Sequence, residues 1–116
     1  MGTFDLRERS FKFAVDVVRF INSIDGNKSN FVIFNQLMRS DTSIGANIEE
    51  ADSSPTRKDF KYKMTIAKKE AAETIYWLKI LRESGLVDNG TKITALFNEC
   101  DQLLKIISTI IRKIHD

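Results

Sequence analysis

The sequence predicts an all-α protein: an antiparallel up-down-up-down four-helix bundle formed by one domain over residues 1–116. Three observations predict it. Apolar residues recur at alternating spacings of three and four over long stretches, a pattern typical of helices packed at about 20°. Turn-forming residues interrupt the chain at only three places, which leaves four stretches of helical length joined by short connections. With 5 glycines and 1 proline, a turn-rich β-sandwich is disfavoured.

The first two helices are predicted at residues 5–24 and 30–51, separated by the turn 25–27. Ser29 is the expected N-cap of the second helix, because its hydroxyl can accept a hydrogen bond from an unpaired backbone N–H. The apolar stripe of this second helix contains one acid, Asp41, in the middle of the seam.

The other two helices are predicted at residues 55–84 and 91–114. Ser54 as N-cap and Pro55 at the first helical position form a strong start signal, because proline lacks an N–H that this position leaves unpaired. Gly85 is expected to end the third helix. The fourth helix keeps the same alternation of three and four.

The first and fourth helices each carry a second apolar stripe. One bundle core needs a stripe only about 100° wide on each helix. The surplus therefore predicts a subunit interface, with a wide core face as the alternative. The residues of this surplus surface are Phe11, Val15, Val18, Phe97, Leu104 and Ile111.

Positive charge is concentrated early in the third helix. The chain as a whole has a net charge of +2, but residues 57–69 carry six cations against one acid, Asp59. This pattern fits either a solvated helix face or a surface that contacts phosphates of RNA or DNA. Tyr62 could stack on a base, but aromatic residues do not recur every few positions, so single-strand binding is not indicated. The six cations are Arg57, Lys58, Lys61, Lys63, Lys68 and Lys69, with Arg112 and Lys113 as further candidates.

Polar residues form one line on each of the two middle helices, beside the apolar seam. A ferritin-type metal site would need Glu-x-x-His pairs, which are absent, and nothing marks a cleft for paired-carboxylate hydrolysis. The favoured interpretation is an interhelical network that fixes register, since buried charge must be paired. The network residues are Arg39, Ser43, Asn47 and Glu50 on the second helix and Glu70 and Glu73 on the third.

A connecting turn centred near Ser53 predicts which network residues meet. Arg39 should face residues 67–70 and reach Glu70 or Glu73, and Glu50 should reach Arg57 or a neighbouring helix cap.

Composition disfavours most catalytic chemistry. One Cys and one His exclude an intramolecular disulfide and most zinc, haem and triad sites, so no cofactor or metal is expected. Cys100 lies in an apolar seam and is expected to be a small core residue. The first residues are charged and no apolar stretch reaches the roughly 20 residues of a membrane span, so a cytoplasmic protein is expected.

Two motifs resemble the signature of a known family. Residues 37–51, LMRSDTSIGANIEEA, and residues 59–78, DFKYKMTIAKKEAAETIYWL, are similar in order and spacing to the bacterial four helix bundle protein family. Its members include proteins encoded in intervening sequences of 23S ribosomal RNA genes, often classed as ribosomal proteins. The resemblance covers essentially the whole chain. The sequence departs from it at Asp41, where family members usually carry a small residue, and more mildly at Glu49.

The resemblance implies a four-helix bundle that assembles into a ring or barrel, with a homopentamer as the expected form. It does not imply an enzyme. The related accessory protein of diversity-generating retroelements shares the barrel and binds a reverse transcriptase and nucleic acid. A non-catalytic oligomer that binds structured RNA, DNA or a nucleoprotein is therefore the leading hypothesis. The alternative is a structural or protein-interaction bundle with no nucleic-acid role.

Overall fold

The computed structural model describes residues 3–24, 31–88 and 90–114, and these contain four helices and no strand. The predicted turn at 25–27 and the predicted N-cap Ser29 lie outside the described residues. The all-α prediction is confirmed. The helices are α1 (Thr3–Asn22), α2 (Phe31–Asp52), α3 (Arg57–Ser84) and α4 (Gly90–Arg112).

Each helix packs against two others, so the four helices form a square bundle of 46 × 20 × 19 Å. The contact between α2 and α3 is the most extensive and that between α1 and α4 the least. Arg7, early in α1, bonds to Glu49 and Asp52 at the end of α2, as antiparallel neighbours require. Over the described residues, none of the helices combines the length and the apolar character needed to cross a membrane.

The core is built from the predicted seams. Side chains spaced by three and four on every helix have almost no exposed surface, and Ala51, Leu81 and Ile93 keep this burial close to helix ends. Other seam residues near helix ends, such as Phe34, Phe60 and Ile110, are only half-buried. The alternation predicted these positions because residues spaced by three and four lie on the same face of a helix. Large side chains of the core include Phe13, Val17, Phe20, Leu37, Ile44, Ile48, Met64, Leu78, Leu81, Ile93, Leu103 and Ile107.

The start of α3 differs from the prediction. The N-cap is Thr56, whose Oγ1 accepts a hydrogen bond of 3.0 Å from the backbone N–H of Asp59. The side chain of Asp59 in turn lies 2.7 Å from the same hydroxyl. The Ser54 hydroxyl instead donates to the carbonyl of Glu50 in the last turn of α2. Ser54 thus closes the preceding helix, and the turn between α2 and α3 is longer than predicted.

The end of α3 is as predicted. Gly85 is the C-cap and has φ 71° and ψ 12°, a left-handed backbone conformation that residues with a Cβ rarely adopt. The helix therefore stops at Ser84, and the chain turns to begin α4 at Gly90. Both ends of α3 are thus set by local sequence, which positions its long basic surface.

Candidate functional site

One side of α3 faces solvent along the full length of the helix. It lies opposite the buried residues Met64, Ala71 and Leu78. Every residue at the outward positions, spaced by three and four, is exposed. We name this surface the outward α3 face; it consists of Lys58, Tyr62, Thr65, Lys69, Ala72, Tyr76, Lys79 and Glu83.

The structure divides the six predicted cations. Lys58 and Lys69 lie on the outward α3 face, and Lys68 is exposed directly beside it. Lys63 is turned towards α2, where its Nζ donates a 2.7 Å hydrogen bond to Glu50. Lys58 and Lys69 therefore belong to the outward α3 face, whereas Lys63 belongs to the contact between α2 and α3.

The other four predicted cations, two from α3 and two at the end of α4, lie near one end of the bundle. Arg57 is exposed in the first turn of α3, and Lys61 is half-buried. Arg112 and Lys113 are exposed at the end of α4. Because α3 and α4 are antiparallel neighbours, the start of one and the end of the other share this end of the bundle. Cations from two helices therefore lie at this end of the bundle.

Two residues of the outward α3 face were not among the predicted binding residues. Tyr76 and Lys79 lie outside the basic run of residues 57–69 but on the same exposed face. The signal was present, because Tyr62, Lys69 and Tyr76 are spaced by seven residues, and a spacing of seven returns to nearly the same side of a helix. Tyr62 is 63% exposed and Tyr76 is 58% exposed.

Acidic groups near α3 are mostly engaged elsewhere. Glu83 bonds to Arg82, and Glu50 bonds to Lys63. Among the described residues, no hydrogen bond or ion pair involves the side-chain ammonium groups of the lysines on the outward α3 face or of the adjacent Lys68. Within the described part of the chain, no acid is therefore paired with these charges, and the exposed lysines present them to solvent, as an anion-binding surface requires.

The predicted contact between Arg39 and the acids of α3 is present. Arg39 Nη1 donates a 3.0 Å hydrogen bond to Glu70 Oε2, and Nη2 donates to Glu73 Oε2. Trp77 Nε1 also donates to Glu73 at 3.0 Å, a partner that the sequence did not suggest. Glu70 is only 8% exposed, so its charge depends on this pairing. The cluster joins α2 to α3 on the side of α3 next to the outward face.

The other predicted network residues do not join this cluster. Asn47 Nδ2 donates a 2.8 Å hydrogen bond to the backbone carbonyl of Ser43 within α2. Glu50 lies 2.7 Å from Lys63. Arg39 reaches Glu70 and Glu73 as predicted, whereas Glu50 meets Lys63, which lies farther along α3 than the predicted Arg57. The reason is that α3 begins only at Arg57, which moves the centre of the turn along the chain.

The centre of the bundle contains a buried acid, Asp41. Asp41 has no exposed surface, and neither of its carboxylate oxygens has a hydrogen-bond partner among the described residues. Burial in this apolar environment raises the pKa of Asp41 to about 8. The sequence placed Asp41 in the seam, but the spacing of residues could not show that no donor reaches it.

Cys100 is a core residue, as predicted. It is fully buried, and its Sγ donates to the backbone carbonyl of Ala71 at 3.4 Å. Burial, followed by the charge of nearby Asp41, raises the pKa of the Cys100 thiol. A thiol that resists ionisation is a poor nucleophile, so Cys100 is not a candidate catalytic residue.

The predicted surplus apolar surface is smaller than expected. Phe97, Leu104 and Ile111 of α4 are half-buried against the core, and Arg82 covers the ring of Phe97 at 4.6 Å. Val15 and Val18 are half-buried as well. Of the six residues of the predicted surplus surface, only Phe11 is largely exposed, at 69%. The wide-core alternative therefore describes α4 better, because this helix uses both of its stripes within the bundle.

Phe11 lines a groove of about 290 Å³ between α1 and α2. The floor is formed by small residues, which keep the two helix backbones accessible. The polar end contains Arg7, which is bonded to Glu49 and Asp52. This groove was not predicted, although Gly and Ala on neighbouring helices were a signal for it. Its small lining residues are Ser10, Ala14, Gly45 and Ala46.

Metal binding has no support in the described part of the chain, where no three His, Cys, Asp or Glu side chains lie close enough to hold an ion. Glu70 and Glu73, the carboxylates considered for such a site, are bonded to Arg39 instead.

Comparisons with known proteins give the family. No curated protein matches the chain. Among solved structures, the chain is similar to a protein of unknown function from the S23 ribosomal protein family of Bacteroides thetaiotaomicron. The identity is 34% and the TM-score 0.88, over 97% of this chain and 100% of the other. The model of the 23S rRNA-intervening sequence protein family matches residues 3–109. With this match over nearly all of its length, the chain belongs to the 23S rRNA-intervening sequence protein family.

Proposed function

We propose that this protein is a non-catalytic, self-associating bundle that binds RNA or DNA through the outward α3 face. The observation that carries the proposal is the set of exposed lysines at residues 58, 69 and 79, with Lys68 beside them, none paired with an acid among the described residues. A line of unneutralised ammonium groups attracts polyanions, and phosphate contacts supply most of the affinity of such complexes.

The arrangement of the bundle supports this proposal. The three lysines span 21 residues of one continuous helix, or about 32 Å at 1.5 Å per residue. Arg112 and Lys113 are exposed at the end of α4, at the end of the bundle where α3 begins. A rigid, straight row of cations suits the regular charge of a nucleic-acid backbone better than a small anionic metabolite. The family description, which refers to intervening sequences of 23S rRNA, is consistent with such a partner.

Reversing two of these charges tests the proposal. We expect Lys69→Glu/Lys79→Glu to weaken binding to a 23S rRNA fragment at least tenfold in a mobility-shift assay at 50 mM salt. The matched control is Lys12→Glu/Lys105→Glu, which changes the net charge equally but on exposed lysines of α1 and α4. The control should lose less than threefold. Wild-type binding should also weaken steeply when salt is raised to 200 mM.

Two results would overturn this assignment. Equal losses in both double variants would mean that net charge alone, and not the outward α3 face, governs binding. Absence of wild-type binding at 50 mM salt would favour the alternative of a protein-interaction bundle, for which the α1–α2 groove is the observation. Circular dichroism of each variant verifies that the helices are intact.

Self-association is the second component of the proposal. The family resemblance implies a ring, expected to be pentameric, and Phe11 with its adjoining groove is an exposed apolar surface that suits a contact between copies. In a ring, the outward α3 faces would repeat, so several weak contacts could act on one nucleic acid.

Light scattering at micromolar concentration tests this component. We expect the wild type to have a mass several times 13.3 kDa. Phe11→Glu should reduce the mass to that of a monomer, whereas Val32→Glu, at a residue just as exposed at 68%, should leave it unchanged. A wild-type monomer would refute self-association, and an unchanged Phe11→Glu assembly would place the interface elsewhere.

A further inference from the structure

The outward α3 face carries two aromatic rings as well as lysines. Tyr62 and Tyr76 expose 63% and 58% of their surface, respectively, and stand among the few large hydrophobic residues exposed on the described surface. Each is next to cations: Lys58 lies one turn before Tyr62, Lys69 lies midway between the rings, and Lys79 follows Tyr76. Rings alternating with ammonium groups form the combination that single-stranded nucleic acids bind, because bases stack on the rings while phosphates contact the cations.

We propose that the outward α3 face binds single-stranded nucleic acid, with bases stacked on Tyr62 and Tyr76 and phosphates at Lys58, Lys69 and Lys79. This inference rests on the proposed function and names the class of partner. It goes beyond the sequence-based expectation, in which Tyr62 could stack on a base but single-strand binding was not indicated because aromatic residues do not recur every few positions.

The spacing of the rings fits one strand. Fourteen residues of helix separate Tyr62 from Tyr76, or about 21 Å at 1.5 Å per residue. A strand stacked at about 3.4 Å per nucleotide covers that distance with about six nucleotides, and a more extended strand needs fewer. This number lies within the 4–16 nucleotides that compact single-strand-binding domains occupy. Lys69, at the midpoint, is placed to contact the backbone between the two stacked bases.

Both rings are available for stacking. Tyr76 has one ring neighbour, Trp77, at 5.3 Å between centroids in an edge-to-face arrangement, which leaves the rest of its ring open to solvent. Trp77 itself is held by its hydrogen bond to Glu73. The Lys63 ammonium lies 6.0 Å from the centre of the Tyr62 ring, a weak contact that does not cover it.

A duplex cannot use these rings in the same way. Paired bases are already stacked on their neighbours, and the deep major groove of double-stranded RNA excludes side chains. On a duplex, the two tyrosines would contact only sugar and phosphate. The stacking contribution should therefore appear with single strands and be absent with duplexes, whereas the lysine contribution should appear with both.

Fluorescence anisotropy with three labelled probes tests the inference: 12-nucleotide oligo(U), 12-nucleotide oligo(dT) and a blunt 12-base-pair RNA duplex, all at 50 mM salt. We expect wild type to bind at least one of the single strands at least fivefold more tightly than the duplex. Tyr62→Leu/Tyr76→Leu should lose at least tenfold in single-strand affinity and less than twofold in duplex affinity. Tyr62→Phe/Tyr76→Phe keeps both rings and should stay within threefold of wild type. The two single-strand arms separate RNA from DNA.

Different outcomes overturn different claims. If the leucine variant binds single strands as wild type does, stacking is refuted; the proposed function still stands if Lys69→Glu/Lys79→Glu weakens all probes. If wild type binds none of the probes at 50 mM salt, both claims fail. Because Tyr76 contacts Trp77, the single variant Tyr62→Leu serves as a second test; it should lose about fivefold in single-strand affinity with an unchanged circular dichroism spectrum.

Discussion

Asp41→Asn is expected to stabilise the protein by roughly 4 kcal/mol at pH 7 and by almost nothing at pH 4. The buried carboxyl has no partner among the described residues, and burial raises its pKa from 3.8 to about 8. Between these two values, the folded protein keeps a proton that the unfolded chain releases. The contribution of protonated Asp41 to the free energy of unfolding is therefore fully present below about pH 4 and is lost as the pH rises towards 8. Asparagine has nearly the same shape but does not ionise.

Urea unfolding of both proteins at several pH values between 4 and 9 measures this effect. The difference between the two free energies of unfolding isolates Asp41, since all other titrating groups are common to both. We expect that difference to grow steadily from pH 4 to pH 8 and then to level off. A difference that stays constant across this range would mean that Asp41 is ionised in the folded protein and has a partner in solution.

Arg39→Ala is expected to destabilise the protein by about 1–3 kcal/mol. The arginine is the cation that joins Glu70 and Glu73 to α2, and its loss leaves the 8%-exposed Glu70 buried without its counterion. The half-exposed guanidinium itself contributes less than a buried one would, because solvent screens it. Urea unfolding at pH 7 gives the change in the free energy of unfolding.

The control for Arg39→Ala is Lys63→Ala, which removes the other cation shown between α2 and α3. Its partner Glu50 is exposed and can be solvated by water, so the effect should be clearly smaller than that of Arg39→Ala. In a Glu70→Gln background, Arg39→Ala should also cost less, since no buried charge is then left unpaired. An Arg39→Ala protein within 0.5 kcal/mol of wild type would show that Arg39 is merely a surface charge.

The Arg39 cluster and the outward α3 face are connected through the geometry of one helix. Glu70 and Glu73 fix the side of α3 that meets α2, and the seam residues such as Ala71 and Leu78 fix the side that meets the core. The rotation of α3 about its own axis is then determined. Tyr62, Lys69 and Tyr76 face solvent as a consequence, which is how packing inside the bundle produces a surface outside it.

Much of the fold could be predicted because it depends on local signals. The alternation from Met64 to Leu81 identified both the helix and its buried side, and Gly85 identified its end, since few residues adopt a left-handed conformation easily. The start of α3 was wrong by two residues because Ser54 and Thr56 are both competent caps. Which of them caps the helix depends on Ser54 bonding backward to the carbonyl of Glu50, a local contact that the residue types alone do not reveal.

The candidate site could be predicted only in part. The run of charge at residues 57–69 pointed to the correct helix, but a linear run mixes residues on several sides of it. Lys63 was assigned to the surface although it reaches Glu50, and Lys79 was overlooked although it shares the exposed face. The groove beside Phe11 arises from two helices whose relative placement the sequence does not encode locally.

Lysine footprinting directly tests whether nucleic acid binds to the outward α3 face. Each lysine is acetylated in the presence and absence of saturating RNA, and mass spectrometry gives the protection of every site. We expect strong protection of Lys58, Lys69 and Lys79 and none of Lys12 and Lys105, which lie on α1 and α4. Protection confined to Lys12 or Lys105, or equal protection at all exposed lysines, would contradict the assignment of nucleic-acid binding to the outward α3 face.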